Sequence, residues 1–211
     1  MSLSQEELDA LMERKGKMRR QAYDARNAQE NKDELSKVIV DKFVKLPEYQ
    51  NPKVKTAMWY LDVRSEVRTR HVIADAIKSD KKIIVPYCTV DEKGANKLGL
   101  WYLESMDELV VGKWNILEPP KDRWGEKGKE VEPEALDIVM VPGVGFDRRG
   151  GRMGNGQGYY DRLLERARLD APLIALAFEA QMFPEILVGP HDIFMDKVIT
   201  EKAIYEGKGR N

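Results

Sequence analysis

An α/β sandwich built on a mainly parallel sheet is the fold class this chain predicts, and three observations carry that expectation. Two apolar runs, at residues 138–141 and 173–178, are too short for helices and read as buried strands. Runs of this kind alternate at short spacing with stripes of helical period. One of them leads through a glycine-rich loop directly into a helix, over residues 141–164. The chain has 211 residues, enough for one sizeable core, so a single domain over 1–211 is expected.

Composition narrows the function classes. The chain is 42% hydrophobic and 34% charged, with a formal net charge of −1, so it has no global basic field to attract nucleic acid or a membrane surface. No apolar run approaches the ~20 residues of a membrane span, and the N-terminus is polar, unlike a signal peptide. Cys88 is the single cysteine and reads as a small core residue; with only two histidines besides, no zinc set is expected. These features predict a cytoplasmic chain with no nucleic-acid or membrane partner; a monomer is expected.

In chain order, Ser4 and Glu7 have the spacing of a capping box, and Leu8, Leu11 and Met12 continue a helix expected over residues 4–30. That helix then turns basic at Lys15, Lys17, Arg19 and Arg20, with Arg26 beyond; Lys15 and Arg19, four apart, share a face. Such a run serves either as a solvated helix face or as a cationic clamp for polyphosphate. Leu35, Val38, Ile39, Phe43 and Leu46 mark a second helix that stops near Pro47. Residues 55–63 read as a largely buried strand, and Ser65 as the cap of a helix over 66–78. Glu66 then falls in the first turn of that helix. It complements the helix dipole or, standing just past a strand end, serves as a ligand group.

Strands are expected next at 82–87 and 98–103. Trp114 sits on a proline-ended loop, either as a hydrophobic plug or as a flat surface for an aromatic ligand. Residues 121–134, dense in charge and glycine, read as a mobile loop. After the strand at 173–178 and a turn at 181–184, residues 196–201 form the last expected strand. His71 reads as structural and His191 as a turn residue.

The central stretch carries the chemistry. Its glycines alternate at Gly154, Gly156 and Gly158 before Tyr159, Tyr160 and Asp161 open a helix whose buried face is marked by Tyr160, Leu163, Leu164 and Ala167. Glycine lets a ligand approach the backbone closely, and a helix start presents unpaired N–H groups, so strand, glycine loop and helix together suit a phosphate. Arg152 supplies a cation at the loop mouth, and Asp161 an oxygen for the Mg²⁺ that nucleotide phosphates bring. Neither a P-loop nor the dinucleotide fingerprint is present.

The string VPG-x-GFD-x-x-G-x-R-x-G-x-G-x-GYYDR, with the tail from Pro190 to Glu201, closely resembles the 5-formyltetrahydrofolate cyclo-ligase family, also called methenyltetrahydrofolate synthetase. The resemblance spans essentially the whole chain. It implies a three-layer α/β/α Rossmann-like sandwich of the ribose-5-phosphate isomerase and coenzyme A transferase type. It also implies ATP as co-substrate, Mg²⁺ as metal and a reduced folate as substrate. By this likeness Lys15, Gly16, Lys17, Met18 and Arg19 form an ATP-contacting segment on a helix packed over the ATP site. Arg152, Met153, Gly154, Asn155, Gly156, Gln157, Gly158, Tyr159 and Tyr160 form the phosphate loop. Residues 155–159 also face the folate, together with Leu61, the glutamate Glu66 of an E-V-x-T motif, and Trp114 of a W-N-I-x-x-P segment. Asp161 and Asp192 are the implied metal ligands, each otherwise a cap or turn residue. Lys15 and Arg152 are the implied catalytic cations.

Within the loop the chain departs from the family pattern. Asn155 and Gln157 replace basic or glycine residues, and Met153 replaces leucine, which conserves volume. Arg148, Arg149 and Arg152 are the cations placed to compensate. The implied reaction closes 5-formyltetrahydrofolate to 5,10-methenyltetrahydrofolate with ATP and needs no protein nucleophile, in keeping with the lack of a Ser-His-Asp or Cys-His set. Two competitors are a same-fold sugar-phosphate isomerase or acyl-CoA transferase, and a non-catalytic folate or nucleotide binding module.

Overall fold

The structure is a computed structural model that describes residues 4–112, 115–189 and 193–210, with Leu8 described in its backbone only. Trp114, His191 and Asp192 lie outside the described residues.

Helix α1 (Gln5–Ala28) starts at the expected capping box, in which Ser4 Oγ accepts from the Glu7 amide and the Glu7 carboxylate accepts from the Ser4 amide. Helix α2 (Lys32–Val44) buries Ile39, Val40 and Phe43, while Val38, placed on the same stripe by its spacing, faces outward. A single turn, α3 (Pro47–Gln50), and a short strand, β1 (Thr56–Met58), follow, then α4 (Arg70–Ala76). Strands β2 (Lys82–Val90) and β3 (Asn96–Leu103) form a hairpin. A small ribbon of β4 (Val110–Val111) and β5 (Leu117–Glu118) precedes β6 (Ile138–Val141). A second ribbon, β7 (Gly145–Phe146) with β8 (Arg152–Met153), leads to α5 (Tyr159–Arg166). Strands β9 (Leu173–Leu176), β10 (Lys197–Ile199) and β11 (Ile204–Glu206) complete the chain.

The main sheet has seven strands in the order β11-β10-β9-β6-β1-β2-β3. Its central members β10, β9, β6, β1 and β2 run parallel, and the edges β3 and β11 are antiparallel. Side-chain alternation explains the layers, because a strand buried on both faces is apolar throughout. Ile83, Val85, Ile138, Met140 and Ile174 pack on one face with Phe43 of α2 and Ile73 of α4. Ile84, Val139, Val141, Leu173 and Ala175 pack on the other with Leu163 and Leu164 of α5. The expected mainly parallel three-layer α/β arrangement is therefore observed.

Most expected strands shift by a few residues at their ends, and three segments differ more substantially. The strand at 55–63 pairs only over Thr56–Met58; beyond it Trp59, Tyr60 and Leu61 stay buried while the chain leaves the sheet. The helix expected at 66–78 spans Arg70–Ala76. Its first amides, at Thr69 and Arg70, donate to the buried Asp62 carboxylate seven residues and more upstream, and Ser65 is occupied elsewhere. The segment 121–134 is not a free loop. Lys129 is buried against Glu104 and Glu108, Trp124 packs on Tyr87 with ring centroids 4.6 Å apart, and Glu130 bridges to Trp101 in β3. Among the described residues no helix is long and apolar enough to cross a membrane.

Candidate active site

A cavity of about 420 Å³ opens where the chain leaves the C-terminal ends of β1 and β6, the position at which open α/β sheets bind ligands. One wall comes from the segment after β1, with Tyr60, Leu61 and Glu66. A second comes from the hairpin, with Pro86, Tyr87, Cys88 and Leu98. The glycine loop and the start of α5 form the third, and α1 closes it with Lys15 and Arg19.

The loop is held in place before any ligand arrives. Asp147, fully buried in the turn between β7 and β8, accepts from the amides of Arg149, Gly151 and Ile186 at 2.8–2.9 Å. Burial alone would raise its carboxyl, but the Arg149 guanidinium and these amides hold it below the usual carboxylate range. Gly156 adopts φ +82° and packs on Arg19, where a Cβ would stand 3.2 Å from the guanidinium carbon. Gly158, at φ +71°, is the N-cap of α5. Arg19 donates from Nε to the Gly154 carbonyl at 3.0 Å, and Tyr23, one turn further along α1, donates to the Asn155 side-chain oxygen. On the other side Asn96 donates to the Gln157 carbonyl at 3.0 Å.

Arg152 lies at the cavity floor with its side chain 6% exposed. It donates to Asp161 Oδ1 at 2.6 Å and to the Pro142 carbonyl at 3.3 Å, and stacks over the Tyr160 ring. Arg148 and Arg149, expected as compensating cations, are not in the cavity wall. Arg149 pairs with Asp147 and Glu185, and Arg148 lies over the Tyr205 ring. Gly16, Lys17 and Met18 sit on α1 between the two clamp residues without bordering the cavity; Lys17 pairs with Glu13 at the surface. Cys88 is half-buried, packs against the core and also faces the cavity.

Glu66 is the most perturbed carboxyl of the site. Burial pushes it from its ordinary 4.5 to about 7, with Asp62 adding to the rise; Arg26, the Val63 amide and Arg64 act the other way. Its Oε2 accepts from the Val63 amide at 3.0 Å, and its Oε1 lies 3.8 Å from Arg26 Nη1. Burial raises the hydroxyls of Tyr60 and Tyr160 well above the ordinary tyrosine value, and Glu66 reinforces both.

The structure thus brings Lys15, Arg19, Arg152, Met153, the loop 154–158, Tyr159, Tyr160, Leu61, Glu66 and Asp161 around one cavity. Sequence reading missed Tyr23, Tyr60, Tyr87 and Leu98. Tyr23 was within reach of it, since it lies four residues after Arg19 on the clamp face. Among the described residues no group of three or more His, Cys, Asp or Glu side chains could hold a metal ion. Asp161 offers one carboxylate at the cavity rim, an oxygen donor of the kind Mg²⁺ takes.

Residues 9–201 match the model of the 5-formyltetrahydrofolate cyclo-ligase family. The chain is 31% identical over 172 residues to the 5-formyltetrahydrofolate cyclo-ligase of Mus musculus, covering 80% of this chain and 83% of that one. The solution structure of Aquifex aeolicus 5,10-methenyltetrahydrofolate synthetase is 30% identical and superposes with a TM-score of 0.76 over 93% of this chain and 95% of that one. The Mycoplasma pneumoniae 5,10-methenyltetrahydrofolate synthetase, at 23% identity, TM-score 0.65 and coverage of 89% and 98%, shares the fold.

Proposed function

Since the chain belongs to the 5-formyltetrahydrofolate cyclo-ligase family, we propose that its cavity closes 5-formyltetrahydrofolate to 5,10-methenyltetrahydrofolate at the expense of ATP. One observation carries this assignment. Lys15, Arg19 and Arg152 line one side of the cavity with the glycine loop, and Glu66 and Leu61, from the segment after β1, line another. A triphosphate suits the first side and a pteridine ring the second.

The formyl oxygen is a poor leaving group. Transfer of the γ-phosphoryl to that oxygen releases ADP and gives an imidate-like phosphate. N10 of the folate attacks the activated carbon and loses its proton. The C–O bond then breaks to release phosphate and leave the methenyl bridge between N5 and N10. The protein's part is alignment and charge neutralisation. Arg152 and Arg19 face the oxygens that gain charge, with Lys15 as a third cation in the cavity wall. The loop glycines let the phosphates approach the backbone. Leu61, Tyr60 and Tyr160 exclude water from the reacting carbon, and the Glu66 carboxyl accepts from N–H donors of the pterin. Trp114 is proposed as a further stacking surface. Asp161 and Asp192 are the residues proposed to hold Mg²⁺, which would neutralise phosphate charge when bound.

The test is the appearance of the methenyl chromophore from 5-formyltetrahydrofolate on adding ATP and Mg²⁺. No product with either omitted, and stoichiometric ADP, are expected. A chromophore that forms without ATP would refute the assignment.

A further inference from the structure

We propose that Arg26 is a positioning residue for the folate side of the cavity, fixing the Glu66 carboxylate through a buried charge contact. The inference rests on the reaction proposed above. Arg26 lies on α1 eleven residues past Lys15, and its guanidinium-bearing side chain is buried, with the residue 3% exposed. Its guanidinium spans two walls of the site. Nε donates to Ser65 Oγ at 3.0 Å, beside Glu66 in the segment after β1. Nη1 donates to the Gly143 carbonyl at 3.1 Å, at the entry to the glycine-loop segment, and stands 3.8 Å from Glu66 Oε1. Its guanidinium carbon lies over the Tyr23 ring, 5.1 Å from the ring centre.

A buried cation is costly unless it is paired, so this placement calls for a reason beyond packing. The groups that face Glu66 supply one. Burial, and to a lesser degree Asp62, disfavours its ionised form; on the other side stand Arg26, the Val63 amide and Arg64, with Arg26 the largest of the three, while Tyr60 and Tyr160 lie beside it as neutral phenols. An ionised Glu66 accepts hydrogen bonds from a pterin with both oxygens, whereas a protonated one presents a donor to a donor. Arg26 therefore limits the rise that burial imposes and is the largest single influence toward the accepting form. Lysine would keep the charge but not the three-way fork.

The experiment compares Arg26→Gln and Arg26→Lys with the wild type in three readouts. In Arg26→Gln the KM for 5-formyltetrahydrofolate should rise about tenfold, the loss of one charge-assisted contact. The KM for ATP should stay within about twofold, since Lys15, Arg19 and the loop are untouched. The acid-side limb of kcat/KM against pH should move to higher pH, because the ion that favours the carboxylate is gone. Arg26→Lys should restore the pH limb while leaving part of the KM defect. The Glu66 carboxyl carbon, assigned by its absence from Glu66→Gln in glutamate-labelled protein, should titrate at higher pH in Arg26→Gln.

If Arg26 only clamps α1 to the sheet, both KM values rise together, the melting temperature falls and the Glu66 titration stays put; that result overturns the proposal. Should Arg26→Gln not fold, Arg26→Lys with an unchanged folate KM overturns it as well. A shifted Glu66 titration in a protein whose wild type makes no methenyl product would leave Arg26 as the partner of Glu66 and refute the reaction instead.

Discussion

Replacing Glu66 with Gln tests the electrostatics of the site through stability alone. In the folded protein burial raises this carboxyl from 4.5 to about 7. A raised carboxyl stays protonated in the native state over a range in which the unfolded chain has already ionised. Between those two values the native state binds more protons, so stability falls as pH rises. The contribution is fully present below about 4.5 and has been lost above about 7. At 1.36 kcal/mol per pH unit the difference comes to ~3 kcal/mol. Glu66→Gln removes the titration while keeping the volume, and Arg26 keeps its bonds to Ser65 and Gly143. Urea unfolding of both proteins between about pH 5 and pH 8 gives the measurement, because every other group cancels in the difference. The variant should gain on the wild type by roughly 2–3 kcal/mol across that range. A difference that is flat with pH, or that moves in favour of the wild type, would refute the burial argument for Glu66.

Three further outcomes are expected. Arg152→Ala should raise the KM for ATP by tenfold or more, the loss of one or two charge-assisted contacts of about 1.5–3 kcal/mol each, with the folate KM little changed; initial-rate kinetics check it. Asp161→Asn should abolish Mg²⁺-dependent turnover while the melt stays nearly intact. The carboxylate is 53% exposed, so its pair with Arg152 adds at most about 1 kcal/mol to stability, and activity titrated against Mg²⁺ separates the two roles. Gly99→Ala would place a Cβ 2.1 Å from the Tyr87 ring, which Trp124 and Glu130 prevent from retreating. A loss of about 1–3 kcal/mol in unfolding free energy and a raised folate KM are expected, with the ATP KM unchanged.

What was legible in the sequence was what local pattern controls. The capping box at Ser4, the apolar strand at 138–141 and the helix after Gly158 stand where their spacing put them, and the run at 173–178 pairs as a strand over Leu173–Leu176. What was not legible depended on partners distant in sequence. Ser65 has the chemistry of a cap, but Arg26 from α1 takes it and Asp62 caps α4 instead. Residues 121–134 have the composition of a mobile loop, yet Lys129 is drawn down by two glutamates that follow β3, Glu104 and Glu108. Strands as short as β7, β8 and β11 contain too few residues for alternation to show.

The neutral residues in the glycine loop follow from the same long-range bracing. A basic side chain at 155 or 157 would add charge near the phosphates proposed to bind at the loop, but charge serves only as well as its position is fixed. Here Asn155 accepts from Tyr23, and the Gln157 carbonyl accepts from Asn96 at the head of β3. Arg19 bonds the Gly154 carbonyl, and the buried Asp147 fixes the turn that leads into the loop. A lysine at 155 could not accept from Tyr23, so it would exchange a brace for a mobile cation. The loop is therefore held from α1, from β3 and from the Asp147 turn, while its cations arrive from outside, on α1 and β8. Donors fixed before the ligand binds cost no reorganisation when charge develops on a transferring phosphoryl group. On that reasoning the departures at Asn155 and Gln157 preserve the site, because they replace loop charge with loop geometry and leave the charge to Lys15, Arg19 and Arg152.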